Sequence, residues 1–250
     1  MKQSLAIFLM GLTTMCAVAQ TDYTKSLNGI EWVKITSKAD IIIKTHSKNE
    51  LLIKAEKKTA IPEKAKGLRL VGQGGTDNTD VGFSVVQDGN NLIVKNLRKS
   101  EDAIIFLPAS QNVSAKSNWQ GDIEISGFNS EIEADAQLNG SVDIKNVTGP
   151  VTANALNGSI EVVFQNVKQG SPISIYTTNG ELDVTLPEST PANLSLSSLN
   201  GEIYTNFDLN RPTKDGLTSY SGKNIKSSIN NGGVTIKLKS TNGNIYLRKE

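Results

Sequence analysis

An Asn-Gly pair followed by alternating polar and apolar residues recurs about every 20 residues through the second half of this 250-residue chain. After Gly140, for example, Val142 and Ile144 are apolar while Ser141 and Asp143 are polar. Alternation with a period of two is typical of a half-buried strand, and a repeat of this length indicates a stack of similar units. The pairs are Asn139-Gly140, Asn157-Gly158, Asn179-Gly180, Asn200-Gly201 and Asn242-Gly243, and Gln120-Gly121 precedes them with Gln in place of Asn.

A second alternating run fits between successive pairs, as in Ile173-Ser174-Ile175 and Leu194-Ser195-Leu196. Two or three short strands in each repeat predict an all-β fold, which we interpret as a single-stranded, right-handed β-helix-like solenoid with coils of about 20 residues. The alternative is a set of antiparallel hairpins, because Asn-Gly also favours the type I′ hairpin turn. Hairpins do not require near-constant spacing, so the spacing favours the solenoid.

We expect the Asn-Gly pairs to lie at the corners of the coils. Glycine accepts a positive φ without steric cost and asparagine tolerates it better than most residues, so the pair suits a sharp change of direction. Stacking of like positions would also bring the asparagine side chains into a hydrogen-bonded ladder.

The first 19 residues have the features of a secretory signal peptide. Lys2 supplies a positive charge, Leu5 to Leu12 form an apolar segment, and Ala17-Val18-Ala19 make a cleavage site before Gln20. The apolar segment is shorter than the roughly 20 residues that a membrane span needs. We therefore expect an exported protein without a transmembrane span, located in the periplasm, outside the cell or at the cell surface.

Composition narrows the classes of function. The chain has 26 Lys and Arg against 25 Asp and Glu, so no excess charge attracts nucleic acid or an anionic membrane. Cys16 is the only cysteine, and it is either lipidated or discarded with the signal peptide; Met15 before it favours removal. His46 is the only histidine, which excludes His-based triads and favours a surface turn position. The stretch from Gly72 to Gly75 lacks the spacing of a phosphate-binding loop, and we expect no cofactor.

The chain after the signal peptide, residues 20–250, is predicted to form one domain. We expect irregular coils over residues 22–118 and regular Asn-Gly repeats over residues 119–250. The segment from Phe207 to Ser228 departs from the pattern and is interpreted as containing an inserted loop. We expect the charged end, Leu247 to Glu250, to cover the last coil and to hinder pairing of its strand edge with another chain, which favours a monomer.

Several phrases accompany the repeats: Asp40-Ile41-Ile42-Ile43-Lys44-Thr45-His46 with Leu51-Leu52-Ile53, Leu186-Pro187, and Gly232-Gly233-Val234-Thr235-Ile236. With the repeats they resemble the bacterial putative-adhesin domain family, over nearly all of the proposed mature chain. The resemblance implies a β-solenoid of exported or envelope proteins whose biochemical role is mostly unassigned. Its motifs are structural, so it implies no catalytic residue.

Acidic residues occupy the position three after the glycine in four successive repeats, namely Glu124, Asp143, Glu161 and Asp183. Stacking would place their carboxylates in a column at a spacing of about 4.8 Å, where like charges repel. Three interpretations are open: a solvated face whose charge Lys145 dilutes, a divalent-cation site, or paired catalytic acids. The first is the simplest.

Two tyrosines, Tyr204 and Tyr246, take the same position in later repeats, and Tyr176 lies on a neighbouring strand. Aromatic rings on a rigid polar face stack on sugar rings or on proteins, and they also form cross-strand packing pairs. These residues are the candidate surface contacts.

Together these features favour an exported non-enzymatic β-solenoid that acts as an adhesin, or as a binding or structural module of the cell envelope. The expected partner is an envelope protein or a polysaccharide. Two alternatives stay open: a glycan-processing β-helix enzyme that uses the acidic column, and an envelope-stress or signalling accessory protein.

Overall fold

The computed structural model describes residues 22–54, 62–72, 74–209, 213–214, 217–218 and 224–250. The proposed signal peptide, residues 1–19, and part of the predicted inserted loop lie outside these ranges. Strands and the turns between them make up almost all of the described chain, with one short 3-10 helix at Glu63–Ala65. In the described ranges, no helix has the length and apolar character that a membrane span needs.

The described residues form 24 strands. In the first half they are β1 (Tyr23–Ser26), β2 (Trp32–Ser37), β3 (Ile41–His46), β4 (Glu50–Lys54), β5 (Val71–Gly72), β6 (Gly75–Thr76), β7 (Phe83–Asp88), β8 (Asn91–Asn96), β9 (Ala103–Pro108), β10 (Asn112–Ser117), β11 (Ile123–Ser126) and β12 (Ile132–Asn139). In the second half they are β13 (Val142–Val147), β14 (Val151–Asn157), β15 (Ile160–Phe164), β16 (Ile173–Asn179), β17 (Leu182–Leu186), β18 (Ala192–Ser198), β19 (Ile203–Thr205), β20 (Thr213–Lys214), β21 (Leu217–Thr218), β22 (Asn224–Ile229), β23 (Val234–Asn242) and β24 (Ile245–Lys249).

Twenty strands form two ten-stranded sheets on either side of one core. Sheet A has the order β1-β4-β9-β3-β11-β13-β15-β17-β24-β19, and sheet B has the order β22-β18-β23-β16-β14-β12-β10-β2-β8-β7. Each regular coil consists of one sheet B strand and the sheet A strand that follows it. The strands of neighbouring coils are parallel and in register, as where Ile132 of β12 pairs with Val151 of β14.

This arrangement confirms the predicted β-solenoid. The pair Asn139-Gly140 connects β12 in sheet B to β13 in sheet A, and the two strands do not pair with each other. The hairpin alternative is therefore wrong, since an Asn-Gly hairpin turn would join two paired antiparallel strands.

The core is a continuous apolar layer along the solenoid. In β13, Val142 and Ile144 are buried, whereas Asp143 and Lys145 are partly exposed. Opposite them, β12 contributes small buried residues such as Ala134. Burying one valine, leucine or isoleucine side chain stabilises a fold by roughly 1.5–3 kcal/mol, and every coil repeats this contribution.

The corner glycines are needed for a reason that differs from the expectation. Neither they nor the asparagines before them have a positive φ. Instead, a Cβ at Gly158 would overlap the backbone oxygen of Gly140, and one at Gly180 would overlap that of Gly158. The same close approach recurs at Gly140, Gly201 and Gly243. Successive coils lie so close at this corner that no side chain fits.

Buried hydroxyl groups stabilise the same corner. Thr177 Oγ1 donates a hydrogen bond of 2.8 Å to the backbone oxygen of Gly158. Ser240 and Ser198 donate equivalent bonds to Gly180 and Gly243. These bonds explain how three buried polar side chains are accommodated beside the core, since an unpaired buried hydroxyl is costly.

The spatial order of the coils differs from the chain order at both ends. The C-terminal coil, β23 and β24, lies between the coil β16–β17 and the coil β18–β19. The N-terminal coil, β2 and β3, lies between β8–β9 and β10–β11 in the same way. The expectation that residues Leu247 to Glu250 cover the last coil is therefore wrong, because β24 is an interior strand of sheet A.

Other segments protect the sheet edges. Strands β1, β7 and β22 are edge strands, and each pairs antiparallel with its neighbour. The fourth edge is β19, a parallel strand of only three residues. Short or antiparallel terminal strands interrupt the regular parallel ladder, which limits addition of further coils.

Candidate functional site

One outward column of sheet A contains the acidic residues and two of the tyrosines that the sequence singled out. The backbone register pairs Glu124 with Asp143 and Asp143 with Glu161. The column then continues from Asp183 to Tyr246 and Tyr204. Because β24 is inserted before β19, Tyr246 rather than Tyr204 follows the last acid.

A second polar column runs beside it, one residue after each corner glycine. Here side chains satisfy the backbone of the next coil: Asp122 Oδ1 accepts from the backbone N–H of Ser141 at 2.7 Å. Ser159 Oγ accepts from the N–H of Glu181 at 3.2 Å. The second column therefore bonds one coil to the next while its side chains remain at the surface.

The two columns form a shallow depression of about 330 Å³, which we name the acidic groove. Its charged lining is entirely acidic: Asp122, Glu124, Asp143, Glu161, Glu181 and Asp183. Tyr246 forms one end. The groove therefore offers many hydrogen-bond acceptors beside an aromatic ring.

Two cations at the margin of the groove offset part of its charge. Lys145 Nζ lies 2.6 Å from Asp143 Oδ2 and 3.5 Å from Glu161 Oε2. The hydrogen bond to Asp143 is the main cause that raises the pKa of Lys145 above its ordinary value. Arg248 binds both carboxylate oxygens of Asp183, each at 2.7 Å. Arg248 comes from the inserted strand β24, so the sequence gives no local signal for this contact.

Lys145 lies between the carboxylates of Asp143 and Glu161, two of the acids that the sequence suggested as a divalent-cation site. Within the ranges that the structure describes, no group of three or more His, Cys, Asp or Glu side chains is arranged to hold a metal ion. The ammonium group of Lys145 and the guanidinium of Arg248 instead pair with carboxylates of this column.

The two tyrosines of this column stack on each other. The ring centroids of Tyr204 and Tyr246 are 5.4 Å apart, and the ring planes differ by 12°. The Arg248 guanidinium lies over the Tyr246 ring, 5.5 Å from its centroid. Tyr204 is 52% exposed, so its ring is available for contact. The pair is thus both a cross-strand packing contact and an exposed aromatic surface.

Tyr176 lies on the other sheet. Its hydroxyl is 3.1 Å from Thr178 Oγ1 and 3.3 Å from Thr241 Oγ1. The hydrogen bond from Thr178 is the main cause that lowers the pKa of Tyr176. Lys239 lies over its ring, with Nζ 5.4 Å from the centroid. The structure therefore does not bring Tyr176 together with the other two tyrosines.

The motif asparagines form a ladder along the exposed corner between the sheets. Asn179 Nδ2 donates to Asn157 Oδ1 at 2.7 Å, and Asn242 Nδ2 donates to Asn179 Oδ1 at 2.7 Å. Asn157 donates to Asn139 at 3.3 Å, and Asn200 donates to Asn242 at 2.8 Å. The ladder stiffens the corner next to the acidic groove.

His46 has a structural contact. Its Nε2–H donates to the backbone oxygen of Glu50 at 2.8 Å, across the turn between β3 and β4. It lies apart from the acidic groove, whose lining contains only the residues of the later coils.

No curated protein matches this chain. Two solved structures resemble it: a putative cell adhesion protein from Clostridium sporogenes, at 9% identity and a TM-score of 0.46, and a putative adhesin from Bacteroides fragilis, at 15% identity and a TM-score of 0.41. Each comparison covers 92% of this chain, with 100% of the first protein and 96% of the second.

The sequence profile of the Toastrack family, DUF4097, matches residues 82–248. The matched residues run along the chain from β7 into β24 and include the acidic groove, the stacked tyrosines and the asparagine ladder. The chain therefore belongs to the Toastrack family.

Proposed function

We propose that this chain is an exported, non-enzymatic binding module of the cell envelope, and that the outer face of sheet A is its contact surface. The observation that carries the proposal is the exposed Tyr204–Tyr246 stack at the end of the acidic groove. An aromatic ring packs on the apolar face of a sugar ring, while carboxylates accept hydrogen bonds from sugar hydroxyls. We therefore propose a polysaccharide of the envelope as the partner.

The solenoid suits such a role because it holds the contact groups at fixed intervals. Parallel strands lie about 4.8 Å apart, and the ladder of asparagines restrains the adjacent corner. A rigid protein surface loses little conformational entropy of its own on binding, so weak contacts along it add up.

Ion pairing of two carboxylates in the groove supports binding rather than turnover. A glycosidase needs a protonated carboxylic acid opposite a free carboxylate. Asp143 and Asp183 instead accept hydrogen bonds from Lys145 and Arg248. Both carboxylates are thus engaged with cations, an arrangement that does not suit a proton donor.

The test is a binding assay of the protein, from Gln20 onward, against immobilised envelope polysaccharides. Tyr204→Ala should weaken binding about tenfold or more, because it removes the exposed half of the stack. Tyr176→Ala, on sheet B, is the matched control and should leave binding within about twofold. Equal losses from the two substitutions would contradict the proposed face.

Turnover distinguishes the enzymatic alternative. Release of reducing ends from any of these polysaccharides, abolished by Asp143→Asn, would show that the groove is catalytic. Saturable binding without release supports the module. Capture of an envelope protein by the wild type, unaffected by Tyr204→Ala and without polysaccharide binding, would instead favour the signalling accessory role.

A further inference from the structure

A second cleft lies on the outward side of sheet B, under the hairpin formed by β5 and β6. It encloses about 560 Å³. One wall is the segment from Thr36 to Lys38, another is β8 with the residues that follow it, and the third is the hairpin. This size falls within the usual range of small-molecule sites, roughly 300–1,000 Å³.

Glycines in the hairpin allow it to lie close to the sheet. A Cβ at Gly74 would be 3.0 Å from Lys95 Cδ, and one at Gly72 would be 3.3 Å from Leu97 Cδ2. The glycine-rich stretch, which lacks the spacing of a phosphate-binding loop, thus forms one wall of a cleft by close backbone approach.

The charged lining of this cleft is entirely basic. Lys38, Lys95 and Lys99 line it, and no carboxylate does. Lys95 and Lys99 form no salt bridge with any described residue, in contrast to Lys145 in the acidic groove. The nearby Glu101 carboxylate pairs with Arg98. A concentration of ammonium groups in a partly enclosed cleft attracts an anion.

The cleft also contains an unmet hydrogen-bond acceptor. Asn118 lines it, and the Oδ1 atom of Asn118 is buried without a partner among the described residues. Buried polar atoms nearly always have a partner, so this oxygen is available to accept a hydrogen bond from a bound molecule. A hydroxyl group supplies one.

We propose that this cleft binds a hydroxylated organic anion of the sugar-acid or sugar-phosphate class. Its acidic group contacts the ammonium groups of Lys95 and Lys99, and one of its hydroxyls donates to Asn118 Oδ1. Leu70 and Leu97 provide an apolar wall for the ring carbons. The site lies on the opposite sheet from the acidic groove and does not depend on the function proposed for that groove.

Calorimetric titration of the purified protein with glucuronate, glucose 6-phosphate and glucose tests this proposal. At least one of the two anions should bind saturably, about tenfold or more tightly than glucose, and the tighter of them identifies the acidic group as carboxylate or phosphate. Lys95→Gln and Asn118→Leu should each weaken that binding about tenfold. Lys34→Gln, an exposed lysine on the same sheet outside the cleft, should change it less than about twofold.

Three results would overturn the proposal: no saturable binding of either anion, equal affinity for glucose, or an equal loss in Lys34→Gln and Lys95→Gln. Thermal unfolding shows whether each variant keeps its fold. If Lys95→Gln does not fold, Lys99→Gln decides, because Lys99 is exposed and its removal leaves no buried gap. Polysaccharide binding by the sheet A face is measured separately, so failure at one site is distinguishable from failure at the other.

Discussion

At the scale of single residues, the corner glycines lie where the motif predicts a change of direction, but the reason that glycine is needed there differs from the predicted one. Asn-Gly indicates a turn with positive φ, but these glycines have ordinary φ values. A side chain is excluded by the backbone oxygen of the neighbouring coil. A Cβ at Gly158, for example, would overlap the backbone oxygen of Gly140. The constraint therefore arises from stacking and not from the turn itself.

Gly158→Ala should destabilise the protein by about 3 kcal/mol, because the methyl group would overlap a backbone oxygen that cannot move without separating two coils. Urea unfolding measures the change in the free energy of unfolding. Gly170→Ala is the matched control, since nothing lies within 4 Å of its Cβ position and its φ is not positive; its effect should stay within about 0.5 kcal/mol. Similar losses at the two positions would rule out the steric explanation.

Lys145 makes a pH-dependent contribution to the free energy of unfolding. Its side chain is 45% exposed, so solvent screening limits its pairing with Asp143 to about 0.5 kcal/mol. Because the pKa of Lys145 is raised in the folded protein, this contribution is present below the ordinary value of 10.5 and is lost as the pH rises through the elevated value.

A double-mutant cycle measures this coupling. Lys145→Gln and Asp143→Asn should show a coupling energy of about 0.5 kcal/mol at pH 7, and the coupling should decline once the pH exceeds 10.5. A coupling that persisted at high pH would show that the contact is not an ion pair.

At the scale of structural elements, the in-register pairing of parallel strands converts sequence repeats into columns. Asp143 and Lys145 of β13 have register counterparts on both β15 and β17, so one residue type per repeat produces a continuous surface feature. The acidic groove, the tyrosine stack and the asparagine ladder all arise from such columns. Their contacts run between coils, along the stack.

The position of an asparagine in the ladder should determine how much its removal lowers the free energy of unfolding. Asn179→Ala removes two side-chain bonds, to Asn157 and Asn242, and should destabilise by about 2 kcal/mol. Asn139→Ala, at the end of the ladder, removes only the bond with Asn157 and should cost about 1 kcal/mol. Chemical denaturation of both variants gives the comparison, and a larger loss at Asn139 would contradict a role for the ladder.

At the scale of the whole molecule, the N-terminal and C-terminal coils are each inserted between two coils formed by other parts of the chain. The C-terminal strand β24 pairs with β17 on one side and β19 on the other, although it ends only one residue before the C-terminus. The coil β18–β19 must leave room for this later segment. Contacts between strands so distant in sequence slow folding.

Hydrogen exchange should therefore show whether the protection of a strand depends on its place in the stack or on its distance from the chain end. We expect the amides of β24 to be protected as strongly as those of the interior strand β15, while the edge strands β1 and β22 exchange faster. Mass spectrometry of exchanged, digested protein reads these segments individually. Fast exchange throughout β24 would contradict the inserted position of the C-terminal coil.

Strand content and the contents of each column were predictable from the sequence because they depend on local spacing. Alternation identified the inward faces, and equal offsets from the glycines placed Glu124, Asp143, Glu161 and Asp183 on one outward line. To predict these properties, it is enough to know that equivalent positions of successive repeats stack on each other. They carry no information about which coil lies next to which.

Coil order was decided only by the tertiary structure, because strand pairing at a free edge depends on which distant segment fits there. Insertion of β24 placed Tyr246 next to Asp183, brought Arg248 onto that carboxylate and left Tyr204 exposed at the end of the column. The sequence by itself determined a solenoid with an acidic line; the long-range pairing determined that this line is partly neutralised and ends in an aromatic stack.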